Sequence, residues 1–255
     1  MTTKENNKRI ALITGANQGV GFQVAKELVA HGLTVLLGSR NLERGEAAAR
    51  EIGPDAIAIQ LDVTDQASVT AAVKHIQNEF GHLDVLVQNA GISRKSGLDL
   101  SLREYGQRTL SSNVSLDEVR AVWETNVFGV LSVFQAMLPL LREAASANIV
   151  NVSSGVGSLT MNTDPSFPYR SFYSPVYAAS KTALNAITLA MMIELENTPI
   201  KVRLVSPAFT KTNLNNYEGT ESLEDGSREV VRVALLGPED PTGTFTQWEN
   251  VTIPW

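Results

Sequence analysis

The chain has 255 residues, 43% of them hydrophobic, no cysteine and a formal net charge of −6. That supports one large α/β domain or two small ones, and it excludes disulfides, thiolate metal sites and cysteine nucleophiles. The acidic balance argues against a general nucleic-acid or anionic-membrane surface. The start, "MTTKENNKR", lacks the apolar core of a signal peptide. No apolar run in the sequence approaches membrane-spanning length, so a cytoplasmic location is expected. His31, His75 and His82 show no metal-ligand spacing, and no metal is expected.

Short apolar runs alternate with longer amphipathic stretches. "RIALIT" (9–14) reads as a buried strand, "GVGFQVAKELVAHG" (19–32) as a helix stopped by Gly32, and "LTVLLGS" (33–39) as the next strand. A helix over 41–53 stops at Gly53, a strand covers 56–63, and Asp65 caps a helix over 66–81. "LDVLVQNAG" (83–91) is the fourth strand. A polar stretch from Ser93 to Val114 follows, and then Ser115 and Glu118 form a capping box for one long helix ending near Ala145. Strands over 147–154, 200–207 and 243–248, and helices from Tyr177 and from Ser222 to Leu236, complete the pattern. Continuous apolar strands separated by helices require a parallel sheet covered on both faces. The expectation is a single doubly wound domain over 1–255 with a seven-stranded parallel sheet, and lengthened loops near 93–114 and 155–176.

Between the first strand and first helix stands "TGANQGVG". Gly15, Gly19 and Gly21 allow a tight turn and a close approach by a pyrophosphate, with Asn17, Gln18 and Val20 between them. The helix N-terminus adds free N–H groups and partial positive charge. Further on, "VYAASK" sets Tyr177 and Lys181 at i and i+4, on one helix face. An ammonium beside a phenol is expected to lower the tyrosine pKa.

Together, the Gly-x-x-x-Gly-x-Gly spacing and the Tyr-x-x-x-Lys pair resemble the compact branch of the short-chain dehydrogenase/reductase family, over nearly the whole chain. The resemblance implies a Rossmann-type fold. It implies adenine contacts at Asp62 and Val63, and a cofactor edge at Asn89, Ala90 and Gly91, with Gln88 where a second Asn is usual. It also implies a catalytic-site asparagine at Asn126, a catalytic serine in "NVSS", and a nicotinamide loop in "SPAFTKT" using Pro207, Thr210 and Thr212. In that loop Ala208 replaces the usual Gly.

The second strand ends "LLGSRNLERG" without the acid that would bond a ribose 2′-hydroxyl. Arg40 stands there instead, and a guanidinium suits a 2′-phosphate; the expected cofactor is NADPH/NADP+. Arg44 reads as a helix-surface charge; the alternative is that it adds to the positive field.

The resemblance implies reduction of a ketone or aldehyde, with Tyr177 as proton donor. Lys181 would lower the tyrosine pKa and hold the nicotinamide ribose. Ser154 would bond the substrate oxygen, and Asn126 would hold a water linking Lys181 to solvent. Adjacent strand residues face opposite ways, so Ser153 and Ser154 compete; the family pattern selects Ser154. No Gly-x-Ser-x-Gly elbow and no histidine after His82 favour a hydrolase.

The segment between Ser154 and Tyr177 is longer than the compact branch usually has, and it carries Phe167, Tyr169, Phe172 and Tyr173. With the 93–114 stretch it implies a partly covered pocket for a bulky or aromatic carbonyl compound, as in the carbonyl reductases and the plant terpenoid or alkaloid ketone reductases. Alternatively these aromatics only pack a long loop onto the domain. Monomer and homodimer both remain open. A different class of reading is a redox sensor that binds NADP(H) without turnover; the intact Ser154, Tyr177 and Lys181 argue against it.

Overall fold

Odd and even strand positions serve opposite faces of a sheet, and both faces here are apolar. In β1 (Ile10–Thr14), Ile10 and Leu12 join one buried layer, whereas Ala11 and Ile13 join the other. The same division runs through β4 (Val85–Gln88) and β5 (Ala147–Val152), where Leu86 and Ile149 oppose Val87 and Val150. In the computed structural model, which describes residues 8–95 and 100–255, the strands form one sheet in the order β3-β2-β1-β4-β5-β6-β7-β8. Here β2 is Thr34–Ser39, β3 Ala56–Gln60, β6 Ile200–Val205, β7 Phe245–Gln247 and β8 Val251–Thr252.

The first seven strands are parallel, as expected. β8 is an added antiparallel strand, returned by a tight link with Asn250 at φ 59°. Two residues are too few to show a period, so it leaves no mark in the sequence.

Helices α3 (Gln66–Glu79), α6 (Gly129–Glu143) and α8 (Tyr177–Leu195) cover one face; α1 (Gly19–Ala30), α2 (Leu42–Ile52) and α9 (Leu223–Leu235) cover the other. Strand order reverses between β1 and β4, which opens a crevice at the carboxyl ends of the strands. Local chemistry sets several helix ends. The Ala67 N–H donates to the Asp65 carboxylate at 2.9 Å, and Gly53 closes α2 at φ 126°.

The long helix differs from its expected form. It runs as α5 (Leu116–Trp123), a π-helical turn (Glu124–Phe128) and then α6. Ser115 makes no side-chain cap. Glu118 is drawn elsewhere, accepting from the Tyr105 hydroxyl at 2.7 Å and the Lys95 N–H at 2.8 Å. A capping box does form one helix earlier, between Ser101 and Glu104 on α4 (Leu102–Arg108), inside the polar stretch read as a lengthened loop. Contrary to the sequence reading, Leu116–Glu143 is long and apolar enough to cross a membrane by length and composition, although half of its apolar window is buried inside the molecule. Phe134, Met137 and Leu141 of that helix belong to the core. The segment before Tyr177 contains a short helix, α7 (Leu159–Thr163).

Candidate active site

β1 ends at Thr14, and the chain turns through Gly15 at φ 65° and Gly19 at φ 62°. Side-chain-bearing residues rarely adopt that conformation. Gly21 is required for a different reason: a Cβ there would lie 2.7 Å from the Gly15 carbonyl oxygen and would also meet the Asn89 amide. Gln18 makes no side-chain cap at the start of α1, which leaves first-turn N–H groups for an anion.

Asn89 braces this turn. Its Nδ2 donates to the carbonyls of Thr14 at 3.0 Å and Gly15 at 3.1 Å. The N–H groups of Asn89 and Ala90 both donate to the Thr14 hydroxyl, at 3.0 and 2.9 Å. Thr14 is thus a site-building residue that sequence reasoning passed over, although it directly precedes Gly15.

These groups open onto a cleft of about 300 Å³ at the switch point. The turn residues Gly15, Asn17, Gln18, Gly19 and Val20 line its middle, facing Asn89, Ala90 and Gly91. Arg40 and Arg44 stand at one end with Asp62 and Val63. Neither arginine makes an ion pair among the described residues. The Asp62 carboxylate braces its own loop, accepting from the N–H and hydroxyl of Thr64 at 3.0 and 2.7 Å. Tyr177, Lys181 and Pro207 line the other end, and Thr212 lies against the turn, its Cγ2 3.6 Å from where a Cβ on Gly19 would stand. Ile92, Thr125, Asn213 and Leu214 also line the cleft, and no local sequence signal marks them.

Not every expected residue faces the cleft. Thr210 is buried, donates its hydroxyl to the Ala208 carbonyl at 2.8 Å and packs against Gly226 of α9. Asn126 is fully buried in the π-helical turn. Its Nδ2 donates to the Ile92 carbonyl at 2.9 Å and to the Ser180 hydroxyl at 3.0 Å, and its Oδ1 accepts the Ile92 N–H at 2.9 Å. Both amide donors are committed, so the side chain clamps Ile92.

Tyr177 opens α8, and Lys181 follows one turn later with its Nζ 5.8 Å from the Tyr177 ring centroid. The Lys181 ammonium donates to the Val152 carbonyl at 2.8 Å. Room for it depends on Gly157, where a Cβ would lie 2.9 Å from the Lys181 Cβ. Burial pushes the Tyr177 phenol up to about 12, opposed by a hydrogen bond from Ser154. Burial also pulls the Lys181 ammonium down to about 8. The expected lowering of the tyrosine by its lysine is not found: desolvation of the phenolate outweighs the Ser154 hydrogen bond, and the phenol is raised. At neutral pH the phenol keeps its proton.

Ser153 lines the cleft, but its hydroxyl is committed to Asn185 Oδ1 of α8 at 2.5 Å; Ser154 is not among the cleft-lining residues, and its side chain hydrogen-bonds the Tyr177 phenol. The aromatic residues of the 155–176 segment form an exposed group. Tyr169 lies 5.7 Å from Phe167, 6.4 Å from Phe172 and 5.8 Å from Phe209 of the loop after β6. Among the described residues no group of His, Asp or Glu is arranged to hold a metal.

A model described as short chain dehydrogenase matches residues 9–222. Among curated proteins, the short-chain dehydrogenase anuI of Penicillium roqueforti is 36% identical, with 96% of each chain covered. The (+)-neomenthol dehydrogenase of Arabidopsis thaliana is 30% identical over 97% of this chain and 99% of its own. Among solved structures, salutaridine reductase from Papaver somniferum superposes with a TM-score of 0.78 at 26% identity, covering 93% of this chain and 99% of that one. The chain belongs to the short-chain dehydrogenase family. It is an oxidoreductase of the class that uses a nicotinamide dinucleotide.

Proposed function

We propose that the protein is an NADPH-dependent reductase of ketones or aldehydes, with Tyr177 as the proton donor. The observation that carries the reading is a single cleft with two guanidinium groups, Arg40 and Arg44, that make no ion pair among the described residues at one end and the Tyr177–Lys181 pair at the other. A dinucleotide fits what lies between them. The glycine turn leaves a cradle that side chains would fill, and the α1 N-terminus has no side-chain cap. Arg40 and Arg44 would hold a 2′-phosphate, which an acidic residue at that point would repel.

When bound, the dinucleotide supplies the hydride. The chain's own residues handle the oxygen that becomes negative. Ser154 hydrogen-bonds that oxygen and keeps it within reach of Tyr177. The phenol, protonated at neutral pH, passes its proton to it. Lys181 remains charged below about 8 and stabilises the phenolate left behind.

The names of the menthol- and salutaridine-directed relatives, together with the aromatic group around Tyr169, favour a bulky carbonyl compound. A cytoplasmic location fits the cysteine-free composition. Phe128 of the π-helical turn and Leu189 and Ile193 of α8 are exposed large apolar residues, which favours a homodimer over a monomer. The test is loss of nicotinamide absorbance with a panel of aliphatic, terpenoid and aromatic ketones and aldehydes, run with NADPH and NADH in parallel. Turnover restricted to NADH, or absent with both although NADPH binds, would count against this reading.

A further inference from the structure

Two loops leave the carboxyl ends of β4 and β6, on either side of β5, and both line the cleft. One passes through Ile92, Ser93 and Arg94. The other passes through Pro207 and Thr212 to a short turn, Asn213–Asn215, followed by Asn216 and Tyr217.

They are joined by side chains. The Ser93 hydroxyl donates to the Leu214 carbonyl at 2.5 Å. The Arg94 guanidinium donates to Asn216 Oδ1 and, at 2.9 Å, to the Leu100 carbonyl. Asn216 Nδ2 donates to that same carbonyl at 2.9 Å. Arg94, Leu100 and Asn216 therefore form a closed three-membered set of hydrogen bonds.

Each partner has its own footing. Asn126 holds the N–H and the carbonyl of Ile92, so the first arm leaves from a clamped residue. Arg94 lies 5.7 Å over the Tyr105 ring, and the Tyr105 hydroxyl, 2.7 Å from Glu118 on α5 and 3.2 Å from the Ser93 carbonyl, shares its one proton between these two acceptors. Glu118 also accepts the Lys95 N–H. The second arm is less well founded. Asn216 and Tyr217 are both left-handed, at φ 54° and 61°, and Tyr217 is 68% exposed. Asn tolerates that conformation, but a bulky aromatic residue rarely adopts it. A strained, exposed arm with few buried contacts belongs to the part of a fold that opens most easily.

We infer that Arg94 and Asn216 are positioning residues forming a clasp, which holds Ile92 and Leu214 together over the cleft and must open for the dinucleotide to leave. The inference rests on the dinucleotide reading of the cleft. A clasp of polar contacts, in place of an apolar seam, lets the arms part without exposing core.

Two readouts test it separately. Hydrogen exchange of the amides from Leu214 to Glu218 in the free protein reports the clasp itself. Stopped-flow fluorescence of NADPH release reports its effect on the cleft. Arg94→Ala and Asn216→Gly are the variants; the glycine keeps the left-handed backbone while removing the amide. Both should speed exchange at these amides and raise the NADPH dissociation rate about tenfold, the double variant should add little to either, and Arg94→Lys should recover part of the loss. Unchanged exchange in both variants would overturn the clasp. Faster exchange with unchanged release would overturn its role as a gate. If the wild-type chain binds neither NADPH nor NADH at equilibrium, the cofactor reading fails and the gate falls with it, an outcome distinct from a cleft that binds and is not gated.

Discussion

The two ends of the cleft are built by different means. At the phosphate end the backbone does the work: a strand stops, glycines turn the chain, and a helix begins with its N–H groups free. At the reacting end, side chains from segments far apart in sequence meet. Tyr177 and Lys181 come from α8, Ser154 from the turn after β5, and Ile92 and Leu214 from loops joined across the opening. A backbone site depends on a few glycines and tolerates variation around them. A side-chain site depends on partners that must each be held, here by Asn126, Asn185 and Tyr105 acting on their neighbours.

The sharpest way to separate the two ends is Tyr177→Phe. It should lower kcat by about 10²- to 10⁴-fold, the span of a general acid, while dinucleotide affinity measured by fluorescence titration stays close to wild type. Parallel loss of affinity would mean that the ends are not independent. Next in size is Arg40→Asp at the other end. It should shift the NADPH/NADH ratio of kcat/KM toward NADH by about 10- to 100-fold, the worth of one charge-assisted contact, with little change in kcat. An unmoved ratio would leave Arg40 as a solvated charge.

The pH dependence carries a definite sign. Burial depresses the Lys181 value to about 8, so the charged form is complete below that pH and is lost above it. Reduction should therefore decline above about pH 8, by up to about tenfold per unit. A rate that stayed flat to pH 10 would show that the lysine charge is not used.

Asn126→Ala tests the support under the reacting end. Leaving the Ile92 N–H and carbonyl without their partner should cost about 2 kcal/mol. Thermal denaturation should show a melting temperature lower by about 5 °C. The smallest effect is expected from Tyr169→Ala, which removes one ring of an exposed aromatic group. It should raise KM for bulky ketones by about 2- to 10-fold and leave small aldehydes unaffected. Equal effects on both substrates would return these rings to the role of loop packing.

Sequence reasoning succeeded where a local pattern has only one structural solution. Apolar strands alternating with amphipathic helices leave only a sheet covered on both faces, and Gly15, Gly19 and Gly21 mark the turn because other residues would clash or strain there. It failed where one residue had competing partners. Ser115 and Glu118 have the spacing of a capping box, yet Tyr105 and the Lys95 N–H claim Glu118. Tyr177 and Lys181 have the spacing of a charge-tuned pair, yet burial pushes the phenol up. Thr210 sits in the expected motif but faces α9.

By itself, then, the sequence determined the doubly wound architecture, the phosphate turn, and the presence of Tyr177 and Lys181 on one helix face. These depend on backbone conformation and short-range periodicity, which are written in consecutive residues. Tertiary structure alone decided the burial that sets both side-chain ionisations, the clamp of Asn126 on Ile92, and the meeting of Arg94 with Asn216. Desolvation and long-range hydrogen bonds depend on what the rest of the fold brings alongside, and no local spacing encodes that.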